Sequence, residues 1–144
     1  MTDVLLQRTF EVRGLDFDKA GEISAEVKAI LTDIGIDPDI ILRAGVVTLE
    51  AEMNVVMYAV RAEVVLTLSE DALSIEVADN GPGIPDLELA MQDGYSTASD
   101  EMREMGFGYG MGLPNIKRNS DQFVLESEMG KGTRVYSWIR LASA

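Results

Sequence analysis

The sequence contains no cysteine and no histidine, and basic residues are scarce. Without cysteine the chain forms neither disulfides nor thiolate metal sites, and without histidine it lacks the commonest general base and metal ligand. It holds 12 Lys and Arg against 25 Asp and Glu, a formal net charge of −13. That charge argues against binding to nucleic acid or to an anionic membrane, whose phosphates would be repelled. A polyphosphate ligand would have to be held locally, by backbone amides and a metal ion.

The sequence also lacks a long apolar run and a basic-then-apolar signal segment, so a cytoplasmic protein is expected. The chain has 144 residues, of which 47% are hydrophobic. This length fits one domain, residues 1–144, with enough apolar side chains for a real core. No linker, repeat or low-complexity stretch divides it.

The hydrophobic pattern predicts strands alternating with helices. The predicted strands are 4–12, 62–68, 73–78, 123–126 and 134–141, and the predicted helices are 17–32, 37–59, 87–92 and 108–119. Asp16 is a candidate cap for the first helix and Gly35 follows its end, while Asp37 and Pro38 begin the second. The second helix has one apolar face, formed by Ile40, Ala44, Val47, Ala51, Val55 and Tyr58. We expect an α+β two-layer sandwich, in which helices cover one face of a mixed, mostly antiparallel β-sheet.

Residues 79–83, Asp-Asn-Gly-Pro-Gly, join the end of a predicted strand to a glycine turn. The preceding Leu73, Ile75 and Val77 alternate as in a half-buried strand, which predicts a fixed carboxylate at Asp79 followed by a sharp bend. An ordinary tight turn would explain the same residues when they are considered alone.

Glu50 and Asn54 lie four residues apart in the second predicted helix, so they should share one face beside its apolar stripe. Unpaired burial of either group would be costly. One interpretation is a solvated helix edge. The other is a site in which Asn54 offers an amide oxygen to Mg²⁺ and Glu50 accepts a proton from an attacking hydroxyl or water. Glu52 has no partner at this spacing and is predicted to be a surface charge.

A glycine-rich segment, 106–112, leads directly into the last predicted helix. Free amides at a helix N-terminus can bind an anion such as a triphosphate, although glycine clusters also occur in plain loops. The segment is not a P-loop, because the pattern G-x-x-x-x-G-K-[ST] is missing. A Gly-Lys-Gly-Thr stretch, 130–133, follows, and its Thr133 fits a simple β-turn equally well.

Taken in order, segments 50–54, 79–83, 106–112 and 130–133 resemble the N-box, first glycine box, glycine lid and final Gly-Thr element of the GHKL, or Bergerat-fold, ATPases. The likeness covers most of the chain, in which these elements alternate with predicted strands and helices. It implies that the ligands are ATP and Mg²⁺.

The resemblance also implies roles for individual residues. Glu50 would be the general base and Asn54 the metal ligand. Asp79 would accept the exocyclic amine of adenine, since an ionised carboxylate only accepts hydrogen bonds. Gly83 would give the ring room and Ile84 an apolar wall. The implied nucleotide-binding residues are Asn54, Asp79, Gly81, Gly83, Ile84, Gly108, Gly110, Met111, Gly112, Leu113 and Thr133.

Within this superfamily, segments 93–97 and 112–118 are most similar to small anti-sigma-type serine/threonine kinases of the stress-signalling switch branch. Those kinases phosphorylate Ser or Thr of STAS (sulfate-transporter/anti-sigma-antagonist) domains, so a STAS partner is implied. A sigma factor or other regulator and a homodimer are left open. Residues 98–107 make the lid longer and more acidic than in the shortest members, and they fit either a solvated helix turn or a partner contact.

Two functions of different classes fit these features. In one, the protein is an enzyme that transfers the γ-phosphoryl group of ATP to a protein hydroxyl. In the other, it is a nucleotide-gated module that sequesters or releases a partner without turnover. Glu50 favours the enzyme, because a pure sensor has no use for a base. The absence of histidine excludes autophosphorylation of the sensor histidine kinase type.

Overall fold

The computed structural model describes residues 4–14, 17–58, 61–84, 87–92 and 112–141. Its five strands form one sheet in the order β1-β2-β3-β5-β4. They are β1 (Val4–Arg13), β2 (Arg61–Ser69), β3 (Ala72–Asp79), β4 (Gln122–Glu128) and β5 (Gly132–Arg140). Every strand lies close to its predicted bounds. All four pairings are antiparallel, so the expected mixed sheet is corrected to an antiparallel one. After β3 the chain crosses over, so that β3 pairs with β5 and not with β4.

The helices of the described part of the chain are α1 (Glu22–Ile34), α2 (Pro38–Tyr58), α3 (Leu87–Ala90) and α4 (Gly112–Arg118). Of these, α1, α2 and α4 form a layer on the sheet, whereas the short α3 has no buried residue. The long helix α2 packs against α1 on one side and α4 on the other, and it contacts β3 and β5 below it. Five residues of its predicted apolar face are buried, namely Ile40, Ala44, Val47, Ala51 and Val55. The two-layer sandwich predicted from the sequence is confirmed.

The alternation of the central strand β3 explains why the helices of the described residues pack on one face of the sheet. Ile75 is buried and pairs with the buried Leu66 of β2. The next residue, Glu76, points to the opposite face and forms an ion pair with Arg134 at 3.0 Å. This alternation gives the sheet an apolar side, which packs under the helices, and a polar side.

The first helix begins later than the sequence predicts. Residues Phe17–Lys19 form a short 3-10 helix, and α1 starts only at Glu22. Between them Gly21 has a φ of +99°, a left-handed conformation that a right-handed helix cannot continue through. Gly35 ends α1 as predicted, since its N–H donates to the carbonyl of Leu31 at 3.2 Å. The proposed cap Asp16 lies outside the described residues.

The C-terminal ends of α2 and β3 lie at the same end of the sheet. Helix α2 ends at Tyr58, and β2 begins three residues later at Arg61. Ala62 of β2 then pairs with Asp79, the last residue of β3. The start of α2 is capped as predicted, because the N–H of Asp39 donates to a carboxylate oxygen of Asp37 at 2.9 Å. The fold thus places the predicted segments 50–54 and 79–83 toward the same end of the sheet.

Candidate nucleotide and catalytic site

Asp79 is a carboxylate fixed by backbone groups. It continues the inward alternation of β3, and its Oδ1 accepts hydrogen bonds from the N–H of Gly81 at 2.8 Å and the N–H of Thr133 at 3.1 Å. None of the described residues donates a hydrogen bond to its Oδ2. The segment is therefore more than a tight turn: one carboxylate oxygen is held by the turn after β3 and by β5, and the other is available to a ligand.

Two glycines in the turns beside Asp79 are explained by close backbone contacts. Gly83 has a φ of +88°, and a β-carbon there would lie 2.7 Å from the carbonyl oxygen of Glu128. A β-carbon at Gly132, where φ is +141°, would collide with the carbonyl oxygen of Asp79. The N–H of Gly130 also donates to the carbonyl of Pro82 at 2.9 Å. Gly83 therefore has a packing role, in addition to the space that it is expected to give the adenine ring.

Thr133 belongs to a small polar cluster at this edge. Its hydroxyl lies 2.9 Å from that of Ser127, which faces it across β4 and β5. The Ser127 hydroxyl oxygen also accepts the N–H of Ile84 at 2.7 Å. Ser127 was missed at the sequence level, although a serine at an inward position of a strand, between the half-buried Leu125 and the turn, was a usable signal. The cluster connects the first glycine box to the final Gly-Thr element.

Glu50 and Asn54 lie one helical turn apart on the side of α2 that faces α4, and both are half-buried. A β-carbon at Gly112 would lie 3.1 Å from Asn54 Oδ1, 3.2 Å from Asn54 Nδ2 and 3.3 Å from Glu50 Oε2. The two side chains therefore meet at the first described residue of α4, where an added β-carbon would require them to shift. This confirms the predicted shared face and brings Gly112 next to it.

The electrostatic environment of Glu50 is set by burial and by one side chain. Burial raises the pKa of Glu50 above its ordinary value of 4.5, and a hydrogen bond with the side chain of Asn115 partly opposes that rise. A carboxylate with a raised pKa binds a proton more readily than an exposed one, which suits a general base. Asn115 was not singled out from the sequence, because nothing in α4 itself indicates that it contacts α2.

Glu52 is the clearest correction to the sequence-based predictions. It is only 2% exposed, and its two oxygens accept the N–H of Gly21 and the N–H of Ser24, each at 2.9 Å. The side chain caps the N-terminus of α1, where free backbone N–H groups need an acceptor. Burial raises the pKa of Glu52, and the backbone hydrogen bonds oppose the rise. The predicted surface charge is a buried structural residue, because its partners lie in a different helix.

Several predicted contacts cannot be placed. Gly108, Gly110 and Met111, together with the other lid residues before Gly112, lie outside the described residues. Leu113 packs against the hydrophobic core, so any contact that it makes with a nucleotide would involve its backbone or a part of a half-buried side chain. The roles of these residues toward a nucleotide stay predictions.

The protein alone offers few ligands for a metal ion. Among the described residues, no three His, Cys, Asp or Glu side chains lie close enough together to hold one. The oxygen atoms at the meeting point of Glu50 and Asn54 are of the kind that Mg²⁺ prefers, but phosphate and water oxygens would have to complete its shell. No helix within the described ranges is long and apolar enough to cross a membrane.

The sequence matches the family described as "Histidine kinase-, DNA gyrase B-, and HSP90-like ATPase" over residues 43–143. This match spans well over half of the chain and includes all four segments on which the resemblance was based. The chain belongs to this ATPase family, which agrees with its helix-covered antiparallel sheet.

Similar proteins include a kinase and two anti-sigma factors. The serine/threonine-protein kinase RsbT of Bacillus subtilis (strain 168) is 36% identical over 97 residues, 63% of this chain and 67% of that protein. The anti-sigma F factor of Thermoanaerobacter pseudethanolicus is 40% identical over 68 residues, 47% of this chain and 44% of that protein. That of Caldanaerobacter subterraneus is 34% identical over 91 residues, 60% of each. The chain thus spans about half the length of the anti-sigma F factors, and the likeness to a serine/threonine kinase supports the predicted enzyme class.

Proposed function

We propose that the protein is a cytoplasmic, ATP-dependent serine/threonine kinase that phosphorylates a STAS-type partner. The observation that carries this proposal is that the side chains of Glu50 and Asn54 lie together beside Gly112, toward the end of the sheet where Asp79 is held. Membership of the ATPase family and similarity to a serine/threonine-protein kinase support it.

Adenine is proposed to bind at Asp79. Because the N–H groups of Gly81 and Thr133 occupy Oδ1, Oδ2 can accept a hydrogen bond from the exocyclic amine of adenine. Guanine carries a carbonyl at the corresponding position, which would set an acceptor against a carboxylate. Gly83 and Ile84, which follow on the same turn, would border the ring.

Mg²⁺ is proposed to bind at Asn54. The amide oxygen is a hard, neutral ligand, and the lack of a side chain at Gly112 leaves space beside it. When bound, the ion would neutralise charge on the phosphates. Gly108, Gly110, Met111, Gly112 and Leu113 are proposed to lie along the phosphates, where the local backbone would offset the acidic field of the chain.

Glu50 is proposed to act as the general base. The hydroxyl oxygen of the acceptor attacks the γ-phosphorus, the bond from that phosphorus to the β–γ bridging oxygen breaks, and ADP leaves. Glu50 accepts the proton that the hydroxyl loses. Its raised pKa favours this transfer, because it increases the affinity of the carboxylate for the proton.

The proposed acceptor is a serine or threonine at a helix N-terminus of a STAS-type protein. Similarity to a serine/threonine-protein kinase and to anti-sigma F factors supports this assignment. A net charge of −13 favours a partner with a neutral or basic docking face, bound less tightly as salt rises. Phosphorylation would add about 1.5 to 2 negative charges to the partner, so repulsion would aid release. A sigma factor and a second copy of the chain are further partners to test.

Calorimetry with Mg-ATP and Mg-GTP tests the nucleotide site. ATP should bind more tightly than GTP, and Asp79→Asn should weaken ATP binding by about 1–3 kcal/mol, the cost of a poorly satisfied buried group. Glu63→Gln, which changes an exposed glutamate of β2, should bind ATP as the wild type does. Equal affinities for ATP and GTP would refute the adenine assignment.

Mass spectrometry tests phosphoryl transfer. A STAS protein from the same genome is incubated with Mg-ATP and the kinase, its Glu50→Gln variant, or the matched control Glu26→Gln, whose side chain is exposed on α1. Phosphoserine or phosphothreonine that depends on Glu50 and not on Glu26 supports the kinase. An unmodified partner that binds stoichiometrically, with no effect of Glu50→Gln on binding, would instead indicate the nucleotide-gated module. Similarity to anti-sigma F factors is the observation that favours this second function.

A further inference from the structure

The hydroxyl of Ser127 connects three segments of the candidate adenine site. From its place in β4, its oxygen accepts the N–H of Ile84, in the turn after β3, at 2.7 Å. The same oxygen lies 2.9 Å from the hydroxyl oxygen of Thr133 and 3.3 Å from the carbonyl oxygen of Gly132, both in β5. A serine hydroxyl carries a single proton, so only one of these last two contacts can receive it.

The distances decide which contact receives that proton. Hydrogen bonds from a hydroxyl to an oxygen span about 2.5–3.0 Å, so the contact with Thr133 is within this range and the contact with the Gly132 carbonyl is outside it. Ser127 therefore donates to the hydroxyl oxygen of Thr133. In the reverse arrangement Thr133 would donate to Ser127, and the proton of Ser127 would be left with the longer contact.

The proton of the Thr133 hydroxyl is consequently available to a ligand. Among the residues that the structure describes, Ser127 is the hydrogen-bond partner of this hydroxyl. The backbone N–H of Thr133 donates to Asp79 Oδ1 at 3.1 Å, which holds Thr133 beside the carboxylate proposed to accept the exocyclic amine of adenine. The two ring nitrogens nearest to that amine, N1 and N7, only accept hydrogen bonds. A donating hydroxyl therefore matches adenine, whereas guanine carries an N–H at position 1.

We propose that Ser127 is a positioning residue for adenine recognition: by donating to Thr133, it directs the Thr133 proton toward a ring nitrogen beside the exocyclic amine. The proposal rests on the adenine site proposed above. The strand register supports it, because Ser127 lies directly opposite Thr133 in the β4–β5 pair. Asp79 would then recognise the amine and Thr133 the neighbouring nitrogen.

Calorimetry with Mg-ATP and two deaza analogues tests this role in the whole chain. Ser127→Ala should weaken ATP binding by about three- to tenfold, the contribution of one hydrogen bond. For one analogue, 1-deaza-ATP or 7-deaza-ATP, wild type and Ser127→Ala should bind alike, because that analogue lacks the nitrogen that Thr133 contacts. Ser127→Thr keeps the hydroxyl and should bind ATP nearly as the wild type does. So should the matched control Ser74→Ala, which changes a half-buried serine of β3.

A double variant separates positioning from packing. On a Thr133→Val background, Ser127→Ala should have little further effect on ATP affinity, since the proton that Ser127 positions is absent. If Ser127 served only the N–H of Ile84, its replacement would weaken ATP and both deaza analogues equally, and that result would overturn the proposal. An ATP-over-GTP preference that is undiminished in Ser127→Ala would also overturn it. Failure of the wild type to bind ATP would differ from both results, because it would refute the adenine site itself and this role with it.

Discussion

The two sides of α2 carry glutamates that have only one residue between them but contact different parts of the molecule. Two positions along a helix are about 200° apart, so Glu50 faces α4 while Glu52 faces α1. Glu52 is almost fully buried and accepts backbone N–H groups. Glu50 is half-buried and has a side chain, Asn115, as its partner. The same helix thus carries a structural carboxylate on one side and a candidate catalytic carboxylate on the other.

Burial alone does not separate the two roles, since it raises the pKa of both carboxyl groups. The partners do separate them. Backbone N–H groups that would otherwise be unsatisfied donate to both oxygens of Glu52, and its burial keeps this carboxylate away from a substrate. Glu50 borders the gap at Gly112, where a reacting group can approach it.

The largest expected effect comes from replacing the catalytic candidate. Glu50→Gln should lower the rate of phosphoryl transfer by about 10²–10⁴-fold, the usual contribution of a general base, while ATP affinity is retained. Rapid-quench measurements with labelled ATP and the STAS acceptor would measure the rate. Transfer at the wild-type rate would remove Glu50 from the mechanism and leave the two glutamates without the functional difference inferred here.

On the other side of the helix the expected loss is in stability. Glu52→Ala leaves the N–H groups of Gly21 and Ser24 without their acceptor and should lower the free energy of unfolding by about 1–3 kcal/mol. Urea denaturation would measure it, with Glu26→Ala on the exposed face of α1 as the matched control. If Glu52→Ala were as stable as that control, the capping role would be wrong.

Gly112→Ala tests the gap beside Glu50 and should have a moderate effect. The added methyl group would lie 3.1–3.3 Å from Asn54 and Glu50, so both side chains would have to shift. Affinity for Mg-ATP should fall by about 1 kcal/mol, or roughly fivefold, and affinity for ADP should fall less. Calorimetry can compare both nucleotides, with Lys117→Ala as a control on the same helix. Unchanged ATP binding would mean that the gap is not used.

The smallest expected effect is a pH dependence of stability. The folded state raises the pKa of Glu52 above the ordinary 4.5, so it binds this proton more tightly than the unfolded chain does. The resulting stabilisation is fully present below the unfolded pKa and is lost as pH rises through the folded pKa. Glu52→Gln should flatten this decline, by tenths of a kcal/mol per pH unit in order of magnitude. Denaturation series over acidic to neutral pH would measure both slopes, and parallel curves would contradict the assignment.

Local patterns were sufficient to predict the strands and to propose part of the candidate site. Alternation predicted all five strands, and the three-to-four spacing predicted the buried face of α2. Glu50 and Asn54 were found because residues four apart share a helix face, and Asp79 was found because it ends an alternating strand next to glycines.

The features that were missed depend on contacts between distant segments. The partners of Glu52 lie 28 and 31 residues away, so its burial could not be read from its own helix. Ser127 owes its role to the strand register that sets it opposite Thr133, and Asn115 owes its role to the packing of α4 on α2. The packing role of Gly83 was missed for the same reason, because its close approach to the β4–β5 turn joins distant segments. From the sequence, Gly83 was expected only to give the adenine ring room.

The packing of α1 on α2 also bears on which fragment of the protein can be studied in isolation. The family match begins at residue 43, inside α2. A fragment cut there would lose the beginning of that helix, the fully buried Val27 and Leu31 of α1, and the N–H groups that hold Glu52. It would also turn β2 into an open sheet edge, a site for aggregation. The stretch that matches the ATPase family is therefore shorter than the packed core, and deletion variants should retain the chain from β1 onward.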